Sequence, residues 1–119
     1  MGKRADAGII ETEDVDEHCE ALRPWDLTIR QASPGNYRAR TEYVSLNGFL
    51  LYREQCNRRL MIRGATPAGY IMLGSPSSVE TKIHWCGAEI HPGRLAFGKS
   101  STEIDCVVPA GSQHVVALV

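Results

Sequence analysis

The sequence has no long apolar run, and so offers neither a membrane span nor a secretory signal peptide. It also lacks a Cys-x-x-Cys pair. Cys19, Cys56, Cys86 and Cys106 stand far apart, three of them in apolar or strand-like stretches where a free cysteine behaves as a small hydrophobe. A reducing, cytoplasmic setting is the resulting expectation. Net charge is nearly absent at −1, so no global field draws the chain to nucleic acid or to an anionic membrane. Charge is uneven along the chain, however. Residues 1–22 carry seven acids against Lys3 and Arg4, a net of −5, and residues 38–63 hold six arginines against Glu42 and Glu54, a net of +4. This asymmetry reads as a solvated acidic helix and strands with polar edges, in preference to an anion-binding surface. Missing too are a Gly-x-Ser-x-Gly elbow, a phosphate-cradling glycine loop and a His-Glu-x-x-His helix. Arg58 and Arg59 with Tyr52 and Tyr70 do not make a nucleic-acid platform, because no basic face dominates.

What is present fits one ordinary domain. At 119 residues, with 43% apolar and 23% charged side chains, the chain can bury a single core as a soluble globular protein. Residues 1–10, "MGKRADAGII", show no periodicity and are expected to be a flexible leader. "TEDVDEHCEALRP" predicts the one helix: Asp14 caps it, Glu17 completes a capping box, Val15, Cys19 and Leu22 form its apolar stripe, and Pro24 ends it. Beyond Pro24 the period is two. "WDLTIRQAS", "YRARTEYVSL", "FLLYREQC", "RRLMIRG", "YIMLG", "VETKIHWCG", "RLAFG", "EIDCVVP" and "HVVALV" are about nine short strands separated by turn residues, with Asn47-Gly48 the strongest hairpin signal. The pattern predicts an all-β sandwich or closed barrel with one N-terminal α-helix.

The ordered series "DEHCEALRPWDLTIRQASPGNYRAR", "LNGFLLYRE", "GATPAGYIMLG", "IHPGRLAFG" and "VPAGSQHVVALV" resembles the N-terminal sensor domain of AraC/XylS-type transcriptional regulators. The similarity runs from about Glu11 to Val119, so residues 11–119 are expected to be a single sensor domain. The resemblance implies a cupin-like fold, a small jelly roll or double-stranded β-helix. It implies effector binding or dimerisation as the function, with DNA binding delegated to a C-terminal pair of helix-turn-helix units. No helical period follows Pro24, so no direct DNA contact by this chain is expected. The abrupt apolar end "HVVALV" is what a domain within a longer protein would show; a free-standing sensor is the other possibility. The expected partners are a small-molecule effector and a homodimeric second copy, held through the 14–23 helix or an edge strand.

A cupin resemblance raises the question of metal. "PAGSQH" matches the second cupin motif through Pro109, Gly111 and His114. The first motif is imperfect: Cys86 stands where a second histidine belongs after His84, Glu89 comes one residue early, and the preceding glycine is missing. On one strand face His84 and Cys86 could converge with His114, but His84, Cys86, Glu89 and His91 read better as barrel architecture. No metal, no cofactor and no enzymatic activity are therefore expected. The alternatives are a cupin-type metalloenzyme and a ligand-free interaction module. For the sensor reading, Tyr52, Tyr70, Met72, Trp85 and His114 have the chemistry of a pocket for a small apolar or aromatic molecule.

Overall fold

Alternation of buried and exposed side chains dictates the architecture. The computed structural model describes residues 5–77 and 82–119. In chain order it contains β1 (Ala5–Thr12), α1 (Val15–Ala21), β2 (Asp26–Gln31), β3 (Ala39–Leu46), β4 (Phe49–Cys56) and β5 (Leu60–Ala65). There follow β6 (Met72–Pro76), β7 (Ile83–Trp85), β8 (Ala88–Ile90), β9 (Ala96–Gly98), β10 (Glu103–Val108) and β11 (Ser112–Leu118). All pairings are antiparallel, in two sheets ordered β1-β3-β4-β11-β6-β9 and β2-β5-β10-β7-β8. Their inner faces share one core, with Met72, Val108 and Leu118 the largest fully buried side chains. Among the described residues no helix is long and apolar enough to cross a membrane.

Asn47 and Gly48 at φ 50° and 81° supply the two left-handed positions of a tight hairpin turn and join β3 to β4, as their sequence requires. Two strands were not legible, which is why the described residues hold eleven rather than nine. The first is β1. Residues 5–10 are not a flexible leader but part of an edge strand held in eight-residue register with β3. Its side chains are mostly exposed on both faces, so no alternation was there to read. The second is β8. The expected strand over 79–87 ends at Trp85, because Cys86 takes φ 49° and turns the chain back. Residues 79–81 of that expectation lie outside the described residues.

The helix begins where its cap dictates. The Asp14 carboxylate accepts from the Asp16 and Glu17 amides at 2.7 and 3.3 Å. Glu17 does not close a capping box on Asp14, however. It accepts from the Thr12 hydroxyl at 2.6 Å, and Thr12 in turn takes the Asp14 amide at 3.0 Å. The stripe also differs from expectation: Leu22 is buried, Val15 and Cys19 only partly, and the one buried residue within the helix is His18. Because α1 connects β1 of one sheet to β2 of the other and packs against both, it bridges their edges and delivers His18 between them.

Candidate ligand site in the barrel

Register decides which side chains meet inside. Thr41 pairs with Glu54, and Glu54 with His114, forming an inward polar row across β3, β4 and β11. A two-residue step in one direction gives Ala39, Cys56 and Ser112; the opposite step gives Tyr43, Tyr52 and Val116. The facing sheet contributes an apolar wall that includes Ile62, Ile83, Ile104 and Cys106.

A carboxylate can stay buried here because its oxygens are occupied. Glu54 Oε1 accepts from the Thr41 hydroxyl at 2.8 Å and lies 3.1 Å from His18 Nε2, which approaches Oε2 at 2.9 Å. Both side chains are almost fully buried, at 3% and 5% exposure. The carboxylate accepts, so Nε2 carries the proton; in the neutral imidazole Nδ1 then accepts from the Tyr37 hydroxyl, its other partner. Burial pushes the Tyr37 phenol well above its ordinary range, and the neighbouring Cys56 and Glu54 add to that shift. Burial likewise raises Tyr52, with Glu54 adding to it, and drives the Cys106 thiol up to about 12. His114 is lowered, chiefly by burial; Glu54 pulls against that shift and His18 reinforces it.

Beside this network lies a cavity of about 80 Å³. Met72, Trp85, Ile62, Ile83, Ile104 and Val116 give it an apolar body. Three sealed polar atoms belong to residues of its lining and have no hydrogen-bond partner among the described residues: Trp25 Nε1, Ser112 Oγ and His114 Nδ1. Trp25 Nε1 lies near the Tyr52 hydroxyl, but outside hydrogen-bonding geometry.

Of the residues singled out in the sequence, Tyr52, Met72, Trp85 and His114 line this cavity together. Tyr70 does not. It precedes β6 in a turn closed by its own amide donating to the Pro67 carbonyl, and packs on the core from outside the cavity. Missed were His18, Trp25, Glu54 and Ser112. Glu54 carried a usable signal: it stands midway between Tyr52 and Cys56 on one strand face. The residues of the first cupin motif are elsewhere. His84 is exposed, Cys86 occupies the turn, and Glu89 sits 2.7 Å from His91 and 3.9 Å from His84 on the outside of the β7–β8 hairpin. His84 and Cys86 thus share no inward face with His114. Among the described residues no three His, Cys, Asp or Glu side chains are grouped to hold a metal ion.

No protein-family model matches the chain, and no curated protein does. Solved structures do resemble it. The AraC-like transcriptional activator CuxR superposes with a TM-score of 0.66 at 12% identity, over 94% of this chain and 47% of its own. The chain thus spans less than half of that activator. An RmlC-like cupin from Shewanella frigidimarina gives 0.55 at 11% identity, covering 78% of this chain and 83% of that one. A predicted oxalate decarboxylase from Thermotoga maritima gives 0.51 at 13% identity, covering 79% and 93%. Identities this low establish the fold: an all-β, cupin-like barrel with one N-terminal helix.

Proposed function

We propose that this chain is a small-molecule-binding module whose ligand lies inside the barrel, serving as the effector-sensing part of an AraC-type transcriptional regulator. One observation carries the reading: three sealed polar atoms without partners among the described residues belong to side chains that line one apolar cavity. A buried donor or acceptor without a partner costs about 1–3 kcal/mol, so a core selected for stability alone would not retain three around one void. A ligand that supplies the partners turns that cost into affinity and orientation. The likeness to CuxR and the series of turn motifs support the regulator context. Binding is proposed rather than catalysis, because His18, Glu54, Thr41 and Tyr37 satisfy one another. The seven-residue, acid-rich α1 is unsuited to a major groove, so DNA contact is assigned to other parts of such a regulator.

Dimerisation is a second component, favoured by the outer face of the six-stranded sheet. Ala7, Val44, Leu51, Ala117, Leu73 and Phe97 are successive cross-strand partners, making an apolar row across all six strands. Val44, Leu51 and Phe97 in this row are exposed at 49%, 39% and 55%. A continuous apolar surface of this kind is typical of an interface.

The binding claim is tested by a thermal-shift screen of small metabolites against the native chain and an Ala96→Phe variant, Ala96 being a buried residue of the cavity wall. Stabilising compounds should act on the native chain and lose their effect on a variant whose circular dichroism is unchanged. Hits that survive in the filled variant would contradict an interior site.

A further inference from the structure

Outside the barrel, on the outer face of the five-stranded sheet, lies a cleft that no stretch of sequence announces. Leu60, Ile83 and Val108 point into the core, so their chain neighbours Arg59, Lys82, His84, Val107 and Pro109 face outwards. Register sets these five side by side. Val107 pairs with His84 on one side and Met61 on the other. Continued by two residues, the same register puts Pro109 between Arg59 and Lys82. Together they line a cleft of about 170 Å³, with Val107 and Pro109 half-buried as its floor and the three basic side chains exposed around it. The backbone of Arg59 is tied to the end of β2: its amide donates to the Ser33 hydroxyl at 2.9 Å, and its carbonyl accepts from the Ala32 amide at 2.7 Å.

The cleft holds two permanent cations and an imidazole, and no acid lines it. Other strand arginines are balanced: Arg40, Arg53 and Arg63 each stand 2.6–3.9 Å from Glu11, Glu42 or Asp105. Among the described residues Arg59 and Lys82 have no such partner. The acids flanking the cleft on this face are already engaged, Glu89 with His91 at 2.7 Å and His84 at 3.9 Å, Asp105 with Arg63 at 3.9 Å. A guanidinium presents a planar fork of donors that matches a phosphate, an ammonium adds a point charge, and an imidazole N–H is a third donor. The apolar floor keeps water from one side, which strengthens the attraction over that of a flat charged surface. A carboxylate, with one charge, would leave one of the two cations unanswered; a phosphate dianion answers both. Two cations at one spot do not form a track for a nucleic-acid strand, and no aromatic side chain lines the cleft for bases to stack on. We infer that this cleft binds the phosphate group of a small anion, at a site separate from the barrel interior.

Inorganic phosphate, acetate and a short oligothymidylate are each titrated into the full chain at constant pH and ionic strength, following the amide resonances of Arg59, Lys82, His84 and Val107. Phosphate should saturate with a dissociation constant on the order of a millimolar, the weak range of an open, salt-screened site. Acetate should bind severalfold more weakly. Arg59→Gln and Lys82→Gln, at exposed positions and with the fold verified by circular dichroism, should each weaken phosphate about two- to fivefold, as one exposed charge pair allows. Arg30→Gln removes the same charge from the same face, opposite Met61 and outside the cleft, and should leave phosphate binding unchanged. If Arg30→Gln weakens phosphate as much as Arg59→Gln does, the anion responds to the field of the whole face and the site falls. Acetate binding as tightly as phosphate would overturn the phosphate class. An oligonucleotide that binds where phosphate does not would make this a nucleic-acid surface instead, and saturation by neither would refute the site. None of these outcomes bears on the barrel interior.

Discussion

His114 is where the physics of the barrel becomes measurable at a single residue. Its folded-state pKa lies below the ordinary histidine value of 6.5, mainly because burial penalises the imidazolium. Below pH 6.5 the unfolded chain therefore takes up a proton that the native chain still refuses. The corresponding stability is fully present above pH 6.5 and is lost as pH falls through that value towards the folded pKa. Urea denaturation between pH 7.5 and 5.5 should show this decline, and His114→Gln should flatten it; equal slopes in the two proteins would contradict the assignment. Chemistry alone identified Tyr52, Met72, Trp85 and His114, because large or polarisable side chains on alternating strands can only point in or out. It could not identify His18. The helix was read from its apolar stripe, and a histidine is admitted to a core only once a partner such as Glu54, 36 residues away, is in place. Tyr70 was misplaced because β6 starts two residues later than its apolar run.

At the level of elements, the turns that were legible are those whose backbone demands a particular residue. Gly48, at φ 81°, has open space where a Cβ would stand, so Gly48→Ala meets only the left-handed backbone cost of about 1–2 kcal/mol. Gly64 in β5 is different: a Cβ there would come within 2.0 Å of the Asp26 carbonyl oxygen in the neighbouring β2. Backbone cannot yield as a side chain can, so Gly64→Ala should cost about 3 kcal/mol or more. Chemical denaturation of the two variants checks the order; equal losses would show that β2 moves aside freely. The same logic explains the missed strands. Cys86 takes a left-handed turn conformation that its residue type does not advertise, hiding β8. The long edge strand β1 is held by backbone pairing rather than by a buried face, leaving no period to find.

Across the whole molecule, the two faces of the larger sheet divide the work. The inner face carries the polar row and the cavity, and the outer face carries the apolar row from Ala7 to Phe97. If that outer row is a homodimer contact, sedimentation equilibrium should give a monomer–dimer mixture. Leu51→Glu with Phe97→Glu should shift it to monomer without disturbing the fold, both side chains being exposed in the single chain. A strict monomer at high concentration, or a dimer indifferent to both substitutions, would count against the contact. The central claim concerns the inner face, and a high-resolution crystal structure of the purified chain soaked with a stabilising compound from the thermal-shift screen tests it most directly. The account predicts density for one molecule of that compound inside the barrel, with a polar atom within hydrogen-bond distance of Trp25 Nε1, Ser112 Oγ or His114 Nδ1. A barrel in which ordered water satisfies all three atoms and is not displaced, or in which the walls have closed over the cavity, would contradict it.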